Sequence, residues 1–292
     1  MISKLFKTGL IIIICICIIY IIFFISGIAN KFDGNRALEY AKYQVGLGPR
    51  IPGSLAHKQA AAWIISSLEV NKWVVEIQEA VVSGVPIKNI IAKRGTGKPW
   101  IILASHYDSR IFADREKISS NQKLPVDGAN DGASGVAILL ELARVLPFTK
   151  SGQIWLVFFD AEDNGNIPGY DWIMGSQYFV SNLDEKPDQV VILDMVGDID
   201  LNIYMERNSD PEINNKIWGV ANKLGYSQFI PSYKYNILDD HIPFINSGIK
   251  AVDIIDFDYP YWHTRYDTID KISADSLKVV GETIIHWLDE IK

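Results

Sequence analysis

The sequence predicts an α/β protein: a three-layer α/β/α sandwich around a central mixed, mostly parallel sheet, preceded by one N-terminal transmembrane helix. Three observations predict it. Short continuous apolar runs, such as Trp100 to Ser105 (WIILAS) and Ile154 to Phe159, have the length and composition of strands covered on both faces. Stretches with helical spacing alternate with these runs, which is the order of a largely parallel sheet with helices on its faces. Leu10 to Ser26 carries no charge, and its apolar character continues through Ala29. About 20 such residues are enough to cross a bilayer as a helix.

Lys4 and Lys7 precede the apolar segment, so the positive-inside rule puts the N-terminus in the cytoplasm and the chain after Lys31 outside. The expected organisation is a cytoplasmic stub and anchor over residues 1–30 and one domain over 31–292. Residues 10–29 then contact the lipid bilayer, and the chain is single-pass in the cell membrane with its domain extracytoplasmic. The alternative is a secreted domain released from a cleaved signal peptide, since Gly27 and Ala29 are small enough for a peptidase site. The apolar run is longer than most signal h-regions and favours a retained anchor. Both cysteines, Cys15 and Cys17, fall inside that segment, so the domain has neither disulfide staples nor a thiol nucleophile. The formal net charge of -7 argues against a general nucleic-acid surface. The domain is long enough for a full core and is expected to be monomeric.

Arg36 to Val45 reads as a helix, Arg50 to Ser54 as a turn and His57 to Leu68 as a second helix. Lys72 to Val82 and Ile87 to Lys93 are β-rich runs, joined through Ser83-Gly84-Val85-Pro86 as a hairpin at one sheet edge. Trp100 to Ser105 is a buried strand. Arg110 to Asp127 is polar, without periodicity, and long enough for a functional loop. Gly135 to Leu146 has helical apolar spacing and stops at Pro147. Ile154 to Phe159, Val190 to Met195 and Ala251 to Phe257 are further strands. They alternate with helices near Gly175 to Val180, Pro211 to Leu224 and Ser273 to Leu288. There is no internal repeat and no second domain boundary.

Acidic and histidine residues gather at the ends of these strands, where open α/β sheets bind ligands. His106 and Asp108 alternate across Tyr107 and face one side in extended backbone. Alone, that pair reads equally as a strand-end histidine with a local aspartate. Asp131, between Asn130 and Gly132, suits a turn or helix cap as well as a metal. Glu162 and Asp163 directly follow a buried run, and like charges there need a cation or proton to relieve them. A metal on Asp163 leaves Glu162 free to move protons, and zinc with an open position takes such nitrogen and oxygen ligands. Asp160 reads as a turn-ordering residue. Asp194 ends another strand, and Asp239 and Asp240 read as caps for a segment beginning at His241. His263 is a terminal ligand candidate, with Trp262, Tyr259 and Tyr261 as an apolar wall or as core packing. His57 and His286 read as solvent-exposed or helix-end residues.

Four segments together carry a family resemblance: His106-Tyr-Asp108-Ser-Arg110, Gly128 to Gly135 (GANDGASG), Phe158-Phe-Asp160-Ala-Glu162-Asp163 and Leu193-Asp194-Met-Val-Gly197. They resemble the zinc-dependent M28 aminopeptidase superfamily. Asp239-Asp240-His241 with Trp262-His263-Thr264 is similar to its glutaminyl cyclase branch. The resemblance runs from about Arg36 to Trp287 and implies a zinc exopeptidase-like fold, with 31–292 as an M28-like zinc-dependent catalytic domain. For a cyclase it implies one zinc on Asp131, Asp163 and His263. Glu162 is then the proton shuttle, Asp239 hydrogen-bonds to Asp194 in place of a second metal, and Trp262 packs on the substrate. For an aminopeptidase it implies two zincs, with Asp131 bridging and His106 and Asp194 as second-metal ligands. Asp163 stands where aminopeptidases and animal cyclases carry glutamate, although bacterial cyclases look like this sequence there.

Both readings take peptide or protein N-termini as substrate. A cyclase converts N-terminal glutamine to pyroglutamate with release of ammonia, the amine attacking within its own residue. An aminopeptidase hydrolyses the first peptide bond. A non-enzymatic receptor built on a dead peptidase is the remaining class, and the complete set of acids and histidines argues against it.

Overall fold

Asp33 accepts hydrogen bonds from the Asn35 and Arg36 amides, and so opens the first helix, α1 (Gly34–Gly46). Ser54 caps α2 (Leu55–Val70) through the His57 amide. The computed structural model of the chain describes residues 31–147 and 152–291, so the apolar segment at 10–29 lies outside the described residues. Among the described residues no helix is long and apolar enough to cross a membrane.

A hairpin of β1 (Val74–Val82) and β2 (Val85–Thr96) turns on Ser83 and Gly84 alone, both at positive φ. The turn is tighter than the sequence suggests, because Val85 and Pro86 already pair with β1. The remaining strands are β3 (Trp100–His106), β4 (Gly152–Phe159), β5 (Gln189–Asp194), β6 (Ile203–Met205), β7 (Phe229–Tyr233) and β8 (Ala251–Ile255). Six of them make one sheet in the order β1-β2-β4-β3-β5-β8. β1, β2 and β4 pair antiparallel, while β4, β3, β5 and β8 run parallel. β6 and β7 form a separate parallel pair. That pair carries no periodic signal in the sequence, since three and five residues are too few to show one.

Alternating strand residues feed two cores. Ile101, Leu103, Leu156, Phe158 and Leu193 pack with α1, α2, α3 (Ala133–Val145), α5 (Pro211–Leu224) and α7 (Ala274–Glu290). Ile102, Ala104, Val157, Phe159 and Ile192 face the other way, against Phe179 of α4 (Met174–Ser181) and Phe244 of α6 (His241–Asn246). The result is the expected helix–sheet–helix layering around a mixed sheet. Every residue of α3 except Arg144 is buried. Its start lies directly on β5, because a Cβ at Gly135 would come 2.2 Å from the Leu193 carbonyl oxygen. That close approach brings the loop before α3 beside the end of β5.

Candidate metal centre

The four parallel strands deliver their carboxyl ends to one rim, the usual ligand side of an open α/β sheet. His106 is the last residue of β3 and Asp194 the last of β5. After β4 the chain turns sharply through Ala161, at φ 53°, to present Glu162 and Asp163. Asp108 holds that turn: its carboxylate accepts from the Glu162 amide at 3.1 Å, the Asp163 amide at 3.3 Å and Asn164 Nδ2 at 3.1 Å. Asp267 plays the same part for the loop before α3, accepting from the Asn130 amide at 2.8 Å and the Asp131 amide at 3.1 Å. The Tyr259 hydroxyl donates to it at 2.7 Å. Gly132, at φ 91°, packs where a Cβ would sit 2.7 Å from the Asp108 carbonyl oxygen and 3.0 Å from the His106 ring.

These loops assemble two overlapping ligand sets. Ligand atoms of Asp131, Asp163 and His263 lie within 4.8 Å of one another, as do those of His106, Asp131 and Asp194. His263 Nε2 is 2.7 Å from Asp163 Oδ1 and 3.7 Å from Asp131 Oδ2. His106 Nε2 is 3.1 Å from Asp131 Oδ1 and 3.2 Å from Asp194 Oδ1. Among the described residues Asp131 Oδ2 and Asp163 Oδ2 are buried with no hydrogen-bond partner, an expensive condition that a cation would relieve. Two carboxylates and one imidazole with room for a further ligand suit zinc.

Without a cation the charges lean on one another. Burial raises the Asp163 carboxyl to about 6, with Asp131 adding to the push. Burial also lifts Asp194, against a hydrogen bond from His106, to about 7. Burial alone would lower His263, but Asp163 and Asp114 beside it raise it to about 9. Glu162 is pushed well above the usual carboxylate range by burial; His106 opposes this, and Asp163, Asp239 and Asp240 reinforce it.

A cavity of about 200 Å³ opens on the centre, lined by Asp131, Glu162, Asp163, Asp194 and Asp239 on its polar side. Trp172, Ile237, Phe257 and Trp262 are among its apolar walls. Trp262 lines the cavity as the sequence suggested, but Tyr259 and Tyr261 do not. Tyr259 turns inward to Asp267, and Tyr261 packs on Tyr259. Trp172 takes their place, stacked 6.0 Å from the His263 ring. No sequence signal marked it; the nearest is Gly165, where any Cβ would collide with the Trp172 ring.

Other residues also resolve. Asp131 does not cap α3: the cap position is Gly132, with no side-chain cap bond. Asp240 occupies the cap position of α6 without capping it through its side chain, and Asp239 Oδ1 accepts only from the Asp240 amide. Asp239 acts on Asp194 by charge, and among the described residues Asp239 Oδ2 and both carboxylate oxygens of Asp253 are buried without a hydrogen-bond partner. The resemblance implied a hydrogen bond from Asp239 to Asp194 instead. Asp239, His241 and Asp253 form a third buried group beside the cavity. His286 is exposed, as read. His57 is not exposed: it lies buried at the start of α2, 2.7 Å from Asp160 and stacked on Tyr107.

The family model described as peptidase family M28 matches residues 89–288. The chain belongs to peptidase family M28. Its relatives within reach carry two kinds of name. The glutaminyl-peptide cyclotransferase of Drosophila melanogaster is 27% identical over 298 residues, covering 87% of this chain and 80% of its own. The crystal structure of Porphyromonas gingivalis glutaminyl cyclase is similar with a TM-score of 0.84 and 33% identity, over 90% of this chain and 99% of that one. A leucine aminopeptidase precursor from Bacteroides thetaiotaomicron is similar with a TM-score of 0.86 and 34% identity, again over 90% and 99%. Every strand-end motif described above except the approach to β3 through α1 and α2 falls inside the matched M28 region.

Proposed function

We propose that this M28 chain is a zinc-dependent glutaminyl-peptide cyclotransferase, converting N-terminal glutamine of peptides and proteins to pyroglutamate with release of ammonia. The observation that carries the reading is the single small cavity in which Glu162, Asp194 and Asp239 meet beside two tryptophans and the Asp131-Asp163-His263 set. A cavity of that size accepts one side chain, and the two tryptophans suit the methylenes of glutamine. Relatives named glutaminyl cyclase over nearly the whole chain support the same assignment.

Asp131, Asp163 and His263 would hold the zinc, which when bound supplies a Lewis acid for the side-chain amide carbonyl. The substrate's α-amine attacks the amide carbon of its own side chain, so a ring C–N bond forms and the C–NH₂ bond breaks. Closure within one residue removes the entropy of bringing two molecules together. Glu162 accepts the proton released by the attacking amine and returns it to the departing nitrogen, which leaves as ammonia. Its burial in the cavity keeps bulk water from competing for that proton. Asp239 and Asp194 present acceptors to the nitrogen, while Trp262 and Trp172 exclude solvent around it.

The Asp239→Ala variant tests the assignment. In a cyclase, ammonia release from a glutaminyl peptide collapses while metal content is unchanged. Since neither Asp239 nor Asp240 caps α6 through its side chain, a variant with wild-type turnover would remove Asp239 from the mechanism.

A second reading, a di-zinc aminopeptidase, is favoured by one observation: His106, Asp131 and Asp194 form their own ligand set sharing Asp131. Occupation of that set commits Asp194 to a metal and would anchor a free amine for hydrolysis of the first peptide bond.

The domain is further proposed to be a monomeric catalytic unit over residues 31–292, tethered outside the cell membrane by residues 10–29. The uncharged run from Leu10 and the preceding Lys4 and Lys7 support this. Membrane fractionation with N-terminal sequencing tests it; a soluble mature chain beginning near Asn30 would contradict it.

A further inference from the structure

The long polar loop between β3 and α3 meets the candidate metal centre through two residues. Arg110 is almost completely buried, with its side chain 1% exposed. Its guanidinium grips Asp114 with two arms, Nε to Oδ1 at 2.9 Å and a terminal nitrogen to Oδ2 at 2.5 Å. The other terminal nitrogen donates to the Asp163 carbonyl oxygen at 2.7 Å. Asp114 Oδ1 in turn lies 3.4 Å from His263 Nδ1. The chain around His263 is held to the same loop: the Arg115 amide donates to the His263 carbonyl at 3.2 Å, and the Arg265 amide donates to Glu116 Oε1 at 2.9 Å. Arg115 also lies 3.9 Å from the Trp262 ring.

This arrangement addresses a particular difficulty. His263 sits at φ 56°, a left-handed conformation that a non-glycine residue holds only when its surroundings dictate it. Its Nε2 faces Asp163 and Asp131, so a metal on those carboxylates must find Nε2 free of its proton and the ring in one orientation. A carboxylate at Nδ1 secures both, because a hydrogen bond from Nδ1–H fixes the tautomer and the ring plane. Asp114 by itself is a weak anchor, since its side chain is 45% exposed. The two-armed hold by Arg110, which also reaches the backbone of Asp163, turns it into a rigid one.

We propose that Arg110 and Asp114 are positioning residues for the metal centre, setting the tautomer of His263 and its register against Asp163. The inference rests on the ligand set named above and holds for a cyclase and an aminopeptidase alike. No group in the pair needs to touch substrate.

The test is zinc affinity, measured on the folded metal-free domain by competition with a chelating indicator. Asp114→Ala is expected to weaken zinc binding ~10–100-fold, the usual effect of removing a carboxylate behind a metal-bound histidine, with the melting of the metal-free protein unchanged. Asp114→Glu keeps two acceptor oxygens at a partly exposed position with room for one more methylene, and should recover most of the affinity. Arg110→Gln should reproduce the loss through Asp114; if that buried change prevents folding, the two Asp114 variants still decide the matter. In the zinc-loaded wild type, nitrogen NMR should show the His263 proton on Nδ1. His263→Ala is the reference. If it loses zinc while Asp114→Ala binds zinc as tightly as wild type, the positioning role is wrong. If His263→Ala itself keeps zinc, the ligand set is wrong and the inference falls with it.

Discussion

Glu162→Gln isolates proton transfer from every other feature of the centre. The backbone amide of Glu162 donates to Asp108 at 3.1 Å, and its side chain belongs to neither ligand set. Glutamine has the same heavy-atom shape, so the cavity and the Asp131-Asp163-His263 set stay in place while the carboxylate assigned to accept the amine's proton is lost. Residue 162 is 7% exposed, so solvent has little access to act in its stead. General acid–base catalysis is worth ~10²–10⁴-fold, or about 2.7–5.5 kcal/mol at 1.36 kcal/mol per tenfold. Steady-state ammonia release should therefore lose at least ~100-fold in kcat, with KM little changed. Elemental analysis should find wild-type metal content. A fall of less than about tenfold would refute the shuttle role. Loss of metal in the glutamine variant would make Glu162 a ligand and move proton transfer elsewhere.

Alanine at Asp131, Asp163 or His263 leaves two protein ligands, so metal content and turnover should fall together; His263→Ala with full zinc and normal turnover would break the assignment. Gly132→Ala forces a side chain into φ 91° and to within 2.7 Å of the Asp108 carbonyl. It should cost ~1–3 kcal/mol in denaturant unfolding and weaken metal binding, and an unchanged midpoint would show that this loop is not the tight junction described. Burial lifts Asp256 to about 7, against a hydrogen bond from the Asn202 amide. The folded state therefore keeps a proton that the unfolded chain releases near 3.8. The stability it contributes is present below that value and is lost as pH rises through about 7. Asp256→Asn should flatten this decline in thermal midpoint, and an identical pH profile would contradict the origin given for it.

Much of this architecture was readable in advance because its signals are local. WIILAS and the run before Asp160 are strands because they are short, apolar and bounded, and the motifs at their ends announce the rim. Asp131, Asp163 and His263 come together as the motif order implied. The errors lie where a side chain's direction depends on distant packing. Tyr259 and Tyr261 have the composition of a pocket wall, yet Asp267 draws Tyr259 inward. Trp172 carries no motif, but Gly165 and Arg110 seat it over His263. His57 reads as a solvent-exposed or helix-end residue; it does lie at a helix start, but it is buried because its partner Asp160 stands 103 positions away in sequence. Asp253, inside a strand, gave no sign of meeting Asp239. The polar loop after β3 was legible only as long and polar. Its hold on His263 through Asp114 depends on a fold that brings residues 114 and 263 together.

The most direct test is metal stoichiometry of the chain from Lys31 onward, read beside its products from glutaminyl and leucyl peptides. One zinc per chain, with ammonia released from the glutaminyl peptide and no free leucine from the other, is the predicted result. Two zincs per chain, with free amino acid and no ammonia, would contradict the cyclase and hand the centre to the aminopeptidase.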